Sequence, residues 1–119
     1  MPNRPEPLSF LPLRPVEFQV LLSLAQGERH GYGIMQEALS LSEGETVLEP
    51  GTLYRALRRM LAAGLVVESA RRPDAERPTE RRRYYRLTDL GRRVAGAEAA
   101  RLQRLVGAAR AARLLGGKA

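Results

Sequence analysis

Between Pro15 and Gln26 the apolar residues Val16, Phe18, Val20, Leu21, Leu22 and Leu24 recur densely enough to predict a largely buried helix, with Pro15 in its first turn and Gly27 as its stop. After the turn-like His30-Gly31-Tyr32-Gly33, a second helical stripe of Ile34, Met35, Ala38, Leu39 and Leu41 fades near Ser42. The polar stretch Ser42 to Thr46 reads as a connection, followed by a short extended segment at Val47-Leu48. Pro50 then opens a third helix that nothing interrupts before Gly64, because proline is pre-organised for a first turn. On a helical wheel Leu53, Leu57, Met60 and Leu61 share one face, Thr52, Arg55 and Arg59 lie opposite, and Arg58 flanks them. One side is core and the other is a cationic ridge.

Leu65 to Ala70 and Arg83 to Leu87 have the β-branched or aromatic character of short strands. The charged, proline-containing stretch Arg71 to Arg82 between them makes a hairpin with a projecting tip, the shape of a wing. Thr88 is placed to cap a last helix, with Asp89 near its positive end. Leu90, Val94, Ala97, Leu102, Leu105, Val106 and Ala109 continue at helical spacing to about Leu115, before Gly116-Gly117. Such a long stripe at the end of a small domain needs cover, and the same helix of a second copy is the simplest source.

With 119 residues the chain has room for one compact domain plus an appended element. The expected organisation is a flexible N-terminal arm (1–12), a winged helix-turn-helix (13–87) and a dimerisation helix with its tail (88–119). The fold class is mainly α with a small β-hairpin. Having no cysteine, the chain has no disulfide, thiolate metal site or cysteine nucleophile. Lone His30 has no second histidine to complete a site, so it reads as a helix-start or packing residue. The serines lack a base partner and Gly31-Tyr32-Gly33 lacks a phosphate-loop context, so no enzyme, metal or cofactor is expected. The N-terminus lacks the basic start and apolar run of a signal peptide, and no apolar run has the length of a membrane span, so the expected location is the cytoplasm, with no membrane partner.

The net charge of +7 changes the picture through its distribution. Residues 1–49 carry three arginines against seven acids, whereas residues 50–93 carry twelve arginines against five, and every base except Lys118 is arginine. The positive charge coincides with the third helix and the wing, which points to a polyanionic partner such as double-stranded DNA.

Four stretches, in this order and spacing, resemble the PadR family of bacterial transcriptional regulators: His30-Gly31-Tyr32-Gly33-Ile34, Pro50-Gly51-Thr52-Leu53-Tyr54-Arg55-Ala56-Leu57, Gly64-Leu65-Val66, and Arg82-Arg83-Tyr84-Tyr85-Arg86-Leu87-Thr88-Asp89-Leu90-Gly91. The resemblance, over roughly residues 13 to 110, implies a winged helix-turn-helix whose C-terminal helix mediates homodimerisation, usually a repressor on palindromic operators. The single terminal helix is similar to the short subfamily. Some short members release DNA when a planar drug stacks between aromatic side chains of the terminal helices, but residues 88–119 hold no aromatic residue, so no effector is carried over.

In a helix-turn-helix the second helix presents its N-terminal residues to base edges. Thr52, Arg55 and Arg59 are accordingly expected in the major groove and Arg58 on phosphate, there being no acid from Pro50 to Gly64. Tyr54 and Tyr32 fit either packing or a bond to DNA, and the resemblance places Tyr54 at the DNA face. In the wing, Arg81 and Arg83 share one strand face and are expected to reach phosphate or the minor groove, whereas the tip from Asp74 to Glu80 reads as a charge-balanced loop. Leu90, Val94, Leu102, Leu105, Val106 and Ala109 are the expected dimerisation residues. The competing reading is a winged-helix protein-interaction adaptor without specific DNA binding. A non-specific nucleoid binder fits poorly with the acidic N-terminal third.

Overall fold

The computed structural model describes residues 6–73 and 81–116, and the side chains of residues 70–73 and 81 lie outside that description. Helix α1 (Pro15–Leu24) opens with proline where a missing N–H leaves nothing unpaired. It buries Val20, Leu21, Ser23 and Leu24, and the Ser23 hydroxyl donates to the Gln19 carbonyl at 2.7 Å, so this buried polar group is satisfied. Helix α2 (Gly31–Leu41) contributes Ile34 and Ala38 to the core, and α3 (Pro50–Ala62) contributes Leu53, Ala56, Leu57 and Met60. Gly64, just past the end of α3, has φ of +79°, the left-handed conformation in which a helix ends most easily on glycine.

Strands β1 (Arg29–His30), β2 (Val66–Pro73) and β3 (Arg81–Leu87) form an antiparallel sheet in the order β1-β3-β2. A register shift between Ser69 and Arg72 bends the β2–β3 ribbon. The tip, residues 74–80, and the N-terminal residues 1–5 lie outside the described structure, so nothing bears on the expected behaviour of either. Helix α4 (Asp89–Ala111) follows, capped as expected by Thr88, whose Oγ1 accepts the Gly91 N–H at 3.0 Å.

Three local expectations are corrected. The β part is a three-stranded sheet and not a hairpin alone: Arg29-His30 pairs with Tyr85 and Tyr84, while Val47-Leu48 lies in the loop before α3 with Leu48 buried in the core. Two residues are too few for an alternating pattern, so only the partner strand defines β1. Helix α4 stops at Ala111, short of Leu115: Arg113 takes φ of +61° and the Leu114 N–H turns back to the Ala109 carbonyl at 2.9 Å, a Schellman closure that needs no glycine. Third, the N-terminal segment forms a 3-10 turn (Pro7–Phe10) against α4, and Phe10, Leu11 and Leu13 pack on the core.

The radius of gyration is 16.2 Å, against roughly 13–14 Å for a compact chain of this length, and α4 runs on past the body that supports it. Its first turns are anchored through buried Gly91, Val94 and Glu98; no residue of α4 beyond Glu98 is buried.

Candidate nucleic-acid interface

Helix α3 separates its faces as the wheel predicts. Leu53, Ala56, Leu57 and Met60 are almost completely enclosed, while Tyr54, Arg55, Arg58 and Arg59 are exposed and Thr52 is half-buried. The helix carries no acidic residue, and its free N–H groups at Gly51 and Thr52 add positive potential at the same end. Arg55 leans on Thr52, Nη2 donating to Oγ1 at 3.4 Å, a contact weak enough to leave both groups available to a partner. Arg58 has no ion-pair partner among the described residues.

Arg59 differs from expectation. Its Nε lies 3.0 Å from Glu17 Oε2 of α1, so its guanidinium is turned toward the protein's own body rather than aligned with Arg55. Helix pitch places Arg59 one turn above Arg55, but the carboxylate on the neighbouring helix captures it. Arg83 likewise pairs across the strands with Glu68 at 3.2 Å, leaving its side chain half exposed. The Arg81 side chain lies outside the described residues.

The start of α2 completes the surface. His30 is its N-cap, its Nδ1 accepting the Gly33 N–H at 3.0 Å, which places the ring proton on Nε2. The imidazole meets Tyr84 edge-on at 5.3 Å and lies nearly parallel to exposed Tyr32 at 6.4 Å. His30→Ala should therefore destabilise the fold by about 1 kcal/mol, measured by urea unfolding, whereas His30→Asn, which keeps a capping acceptor, should recover most of that loss. Tyr54 is less free than an exposed tyrosine: its hydroxyl ends against Gly31, where a Cβ would overlap it. An apolar depression of about 180 Å³ lies beside Tyr32, lined by Met35, Gln36, Leu39, Val47 and Leu48, well below the volume that encloses a drug-sized ligand, roughly 300–1,000 Å³.

On α4, Leu105 and Val106 are exposed and Leu102 and Ala109 half-buried, an apolar stripe that this chain leaves uncovered. Val94, expected on that stripe, is instead fully enclosed in the chain's own core, and Leu90 packs against the same core. The stripe thus begins later than periodicity alone suggests. Among the described residues no helix is long and apolar enough to cross a membrane.

The family model of the PadR-like transcriptional regulators matches residues 20–97, from the middle of α1 into the first turns of α4. The chain belongs to the PadR-like family of transcriptional regulators. This PadR-family chain is 39% identical over 77 residues to the transcriptional regulator Rv3488 of Mycobacterium tuberculosis, an alignment covering 65% of each protein, a little under two thirds of that relative's length. Its fold is similar to that of a PadR family transcription regulator from Clostridium difficile, with a TM-score of 0.68 at 23% identity, covering 85% of this chain and 98% of that one. It is also similar to Bacillus subtilis PadR, solved in complex with operator DNA, with a TM-score of 0.60 at 19% identity, covering 71% of this chain and 46% of that one.

Two features of the PadR-family chain escaped sequence reasoning. One is Glu98, 2% exposed, which accepts the Leu13 N–H at 3.0 Å and pairs with Arg101. The available signal was its standing as the sole acid after Asp89. The other is Tyr85, also nearly buried, whose phenol is pushed above its usual range by burial, an effect partly opposed by the Arg83 guanidinium beside it.

Proposed function

We propose that this regulator is a homodimeric repressor that binds a roughly palindromic DNA site, one α3 in the major groove of each half-site. The observation that carries the reading is the acid-free outer face of α3, where Thr52, Arg55 and Arg58 stand free of strong internal partners at the positive end of a helix whose other face is core. Arg55 donates to a guanine edge and Thr52 offers a hydroxyl or methyl contact. Arg58 and the Tyr32 hydroxyl hold phosphates, while Arg83, released from Glu68, reaches the backbone from the wing. Arg59 braces α3 on α1 through Glu17 instead of reading bases. Leu102, Leu105, Val106 and Ala109 pair two copies along α4, and the protein works in the cytoplasm without a cofactor. The fold's likeness to B. subtilis PadR, solved with operator DNA, supports this reading.

Arg55→Ala should weaken binding to a duplex selected from genomic fragments by roughly 5- to 100-fold, the range of one good bidentate base contact, and leave binding to random duplex almost unchanged. Fluorescence anisotropy on both duplexes measures it, and equal loss on both would remove Arg55 from base reading. Sedimentation of the pure chain tests the dimer. A stable monomer with its α4 stripe exposed would favour a heteromeric adaptor instead.

A further inference from the structure

Gly31 is the first residue of α2, in ordinary helical backbone, so its lack of a side chain is not explained by conformation. It is explained by space. A Cβ there would overlap the Tyr54 hydroxyl and press on the ring carbon Cζ at 3.0 Å. Gly33, two residues on, offers a contrast: a Cβ there meets nothing nearer than ordinary contact, at 3.5 Å. The phenol of Tyr54 thus crosses from α3 to rest on the bare start of α2, while the residue as a whole remains 44% exposed.

That start is itself held in place. Arg29 and His30 pair with Tyr85 and Tyr84 of β3, His30 caps the helix, and Tyr84 meets the His30 ring. Thr52 and Arg55 share the rigid helix α3 with Tyr54, so a change in how the helix is seated moves both.

We propose that Tyr54, seated on the bare Cα of Gly31, is a positioning residue that sets the angle of α3 against α2 and hence where Thr52 and Arg55 meet a duplex. The inference rests on the DNA reading above. It assigns the Tyr54 hydroxyl to the protein's own frame, whereas a phosphate bond through that hydroxyl is the rival role.

The test uses the full chain, a duplex selected by the wild type from a random-sequence pool, and an unselected duplex of equal length. Gly31→Ala should weaken the selected complex by roughly tenfold, the scale of coupling between residues in contact, with the unselected complex nearly unchanged. Gly33→Ala should leave both within about twofold, since its Cβ has room. Tyr54→Phe, which removes the overlapping oxygen, should lose less than about threefold alone and recover most of the loss when combined with Gly31→Ala. Tyr54→Leu, which lacks the seat but adds no bulk, should lose discrimination with an unchanged salt slope, and it keeps the test decisive should Gly31→Ala fail to fold in thermal melts.

A Tyr54→Phe loss as large as that of Gly31→Ala, with the salt slope reduced by about one, would make the hydroxyl a phosphate ligand and overturn the seat. Additive losses in the double variant would overturn it as well. If the wild type enriches no sequence from the pool, the DNA reading itself falls and takes the proposal with it. If the wild type enriches a sequence and Gly31→Ala binds it equally well, only the seat falls.

Discussion

Gly91→Ala should destabilise the protein by about 3 kcal/mol or more, near the upper end for a forced steric insertion. By helix propensity alone an alanine would be the better residue, by roughly 1 kcal/mol in a helix interior, so the expected sign is opposite to the local one. The reason is the backbone of the α3–β2 turn: a Cβ at Gly91 would overlap the carbonyl oxygen of Leu65 and crowd its carbonyl carbon and Cα. Main chain cannot rotate aside as a side chain can. That carbonyl also accepts the Thr88 N–H at 3.1 Å, while the Thr88 hydroxyl donates to the Gly64 carbonyl at 2.6 Å. Lifting α4 to make room therefore breaks both bonds and withdraws Val94 from the core. Gly96 lies one and a half turns on, exposed, with nothing within 4 Å of an added Cβ. Gly96→Ala should stabilise by about 0.5–1 kcal/mol. Urea unfolding of the two variants gives opposite signs if close packing governs Gly91, and equal signs if it does not.

The second large effect is expected at Glu98. Glu98→Ala should destabilise by roughly 2–3 kcal/mol, because it removes a charged hydrogen bond and strands the Leu13 N–H without its acceptor. Arg101 can then turn to water, which limits the loss. The Arg101 guanidinium, followed by the Leu13 N–H, holds the Glu98 carboxyl below its ordinary value of 4.5, against the opposing effect of burial. A carboxyl whose folded-state value is lowered stabilises the fold fully above the unfolded value and loses that contribution as pH falls through the folded one. The wild type should thus lose stability from about pH 4.5 downward, and Glu98→Gln should lose less over the same window. Thermal melts between neutral and acid pH measure the difference. Identical acid profiles would remove Glu98 from the latch that ties the N-terminal segment to α4.

Much of the fold was legible because several helices are bounded by residues whose effect is local. Pro15 and Pro50 start helices by their fixed φ, Thr88 caps by an oxygen three residues from its target, and Gly64 ends α3 with a positive φ. The leucines of α3 also fell on the buried face, since a helix with one apolar side has one way to lie on a core. The candidate interface was legible only in part. Arg55 and Arg58 stand where periodicity puts them, but the direction of a long, flexible guanidinium depends on the nearest carboxylate, and for Arg59 and Arg83 these are Glu17 on α1 and Glu68 on β2. Periodicity likewise assigns Val94 and Leu105 to one stripe without saying where the protein body ends along α4.

The sequence by itself determined the helices, the hairpin, the segregation of arginine onto the third helix and wing, and the family. Those are properties of neighbours along the chain, fixed by backbone preference and by the period at which side chains return to one face. Only the tertiary structure decided that Arg29-His30 is a strand, that Glu98 holds the N-terminal segment, and that Gly31 and Gly91 are sites of close approach. Each depends on a partner distant in the chain, and burial, ion pairing and steric exclusion act through space at a few ångströms, a distance that sequence separation does not encode.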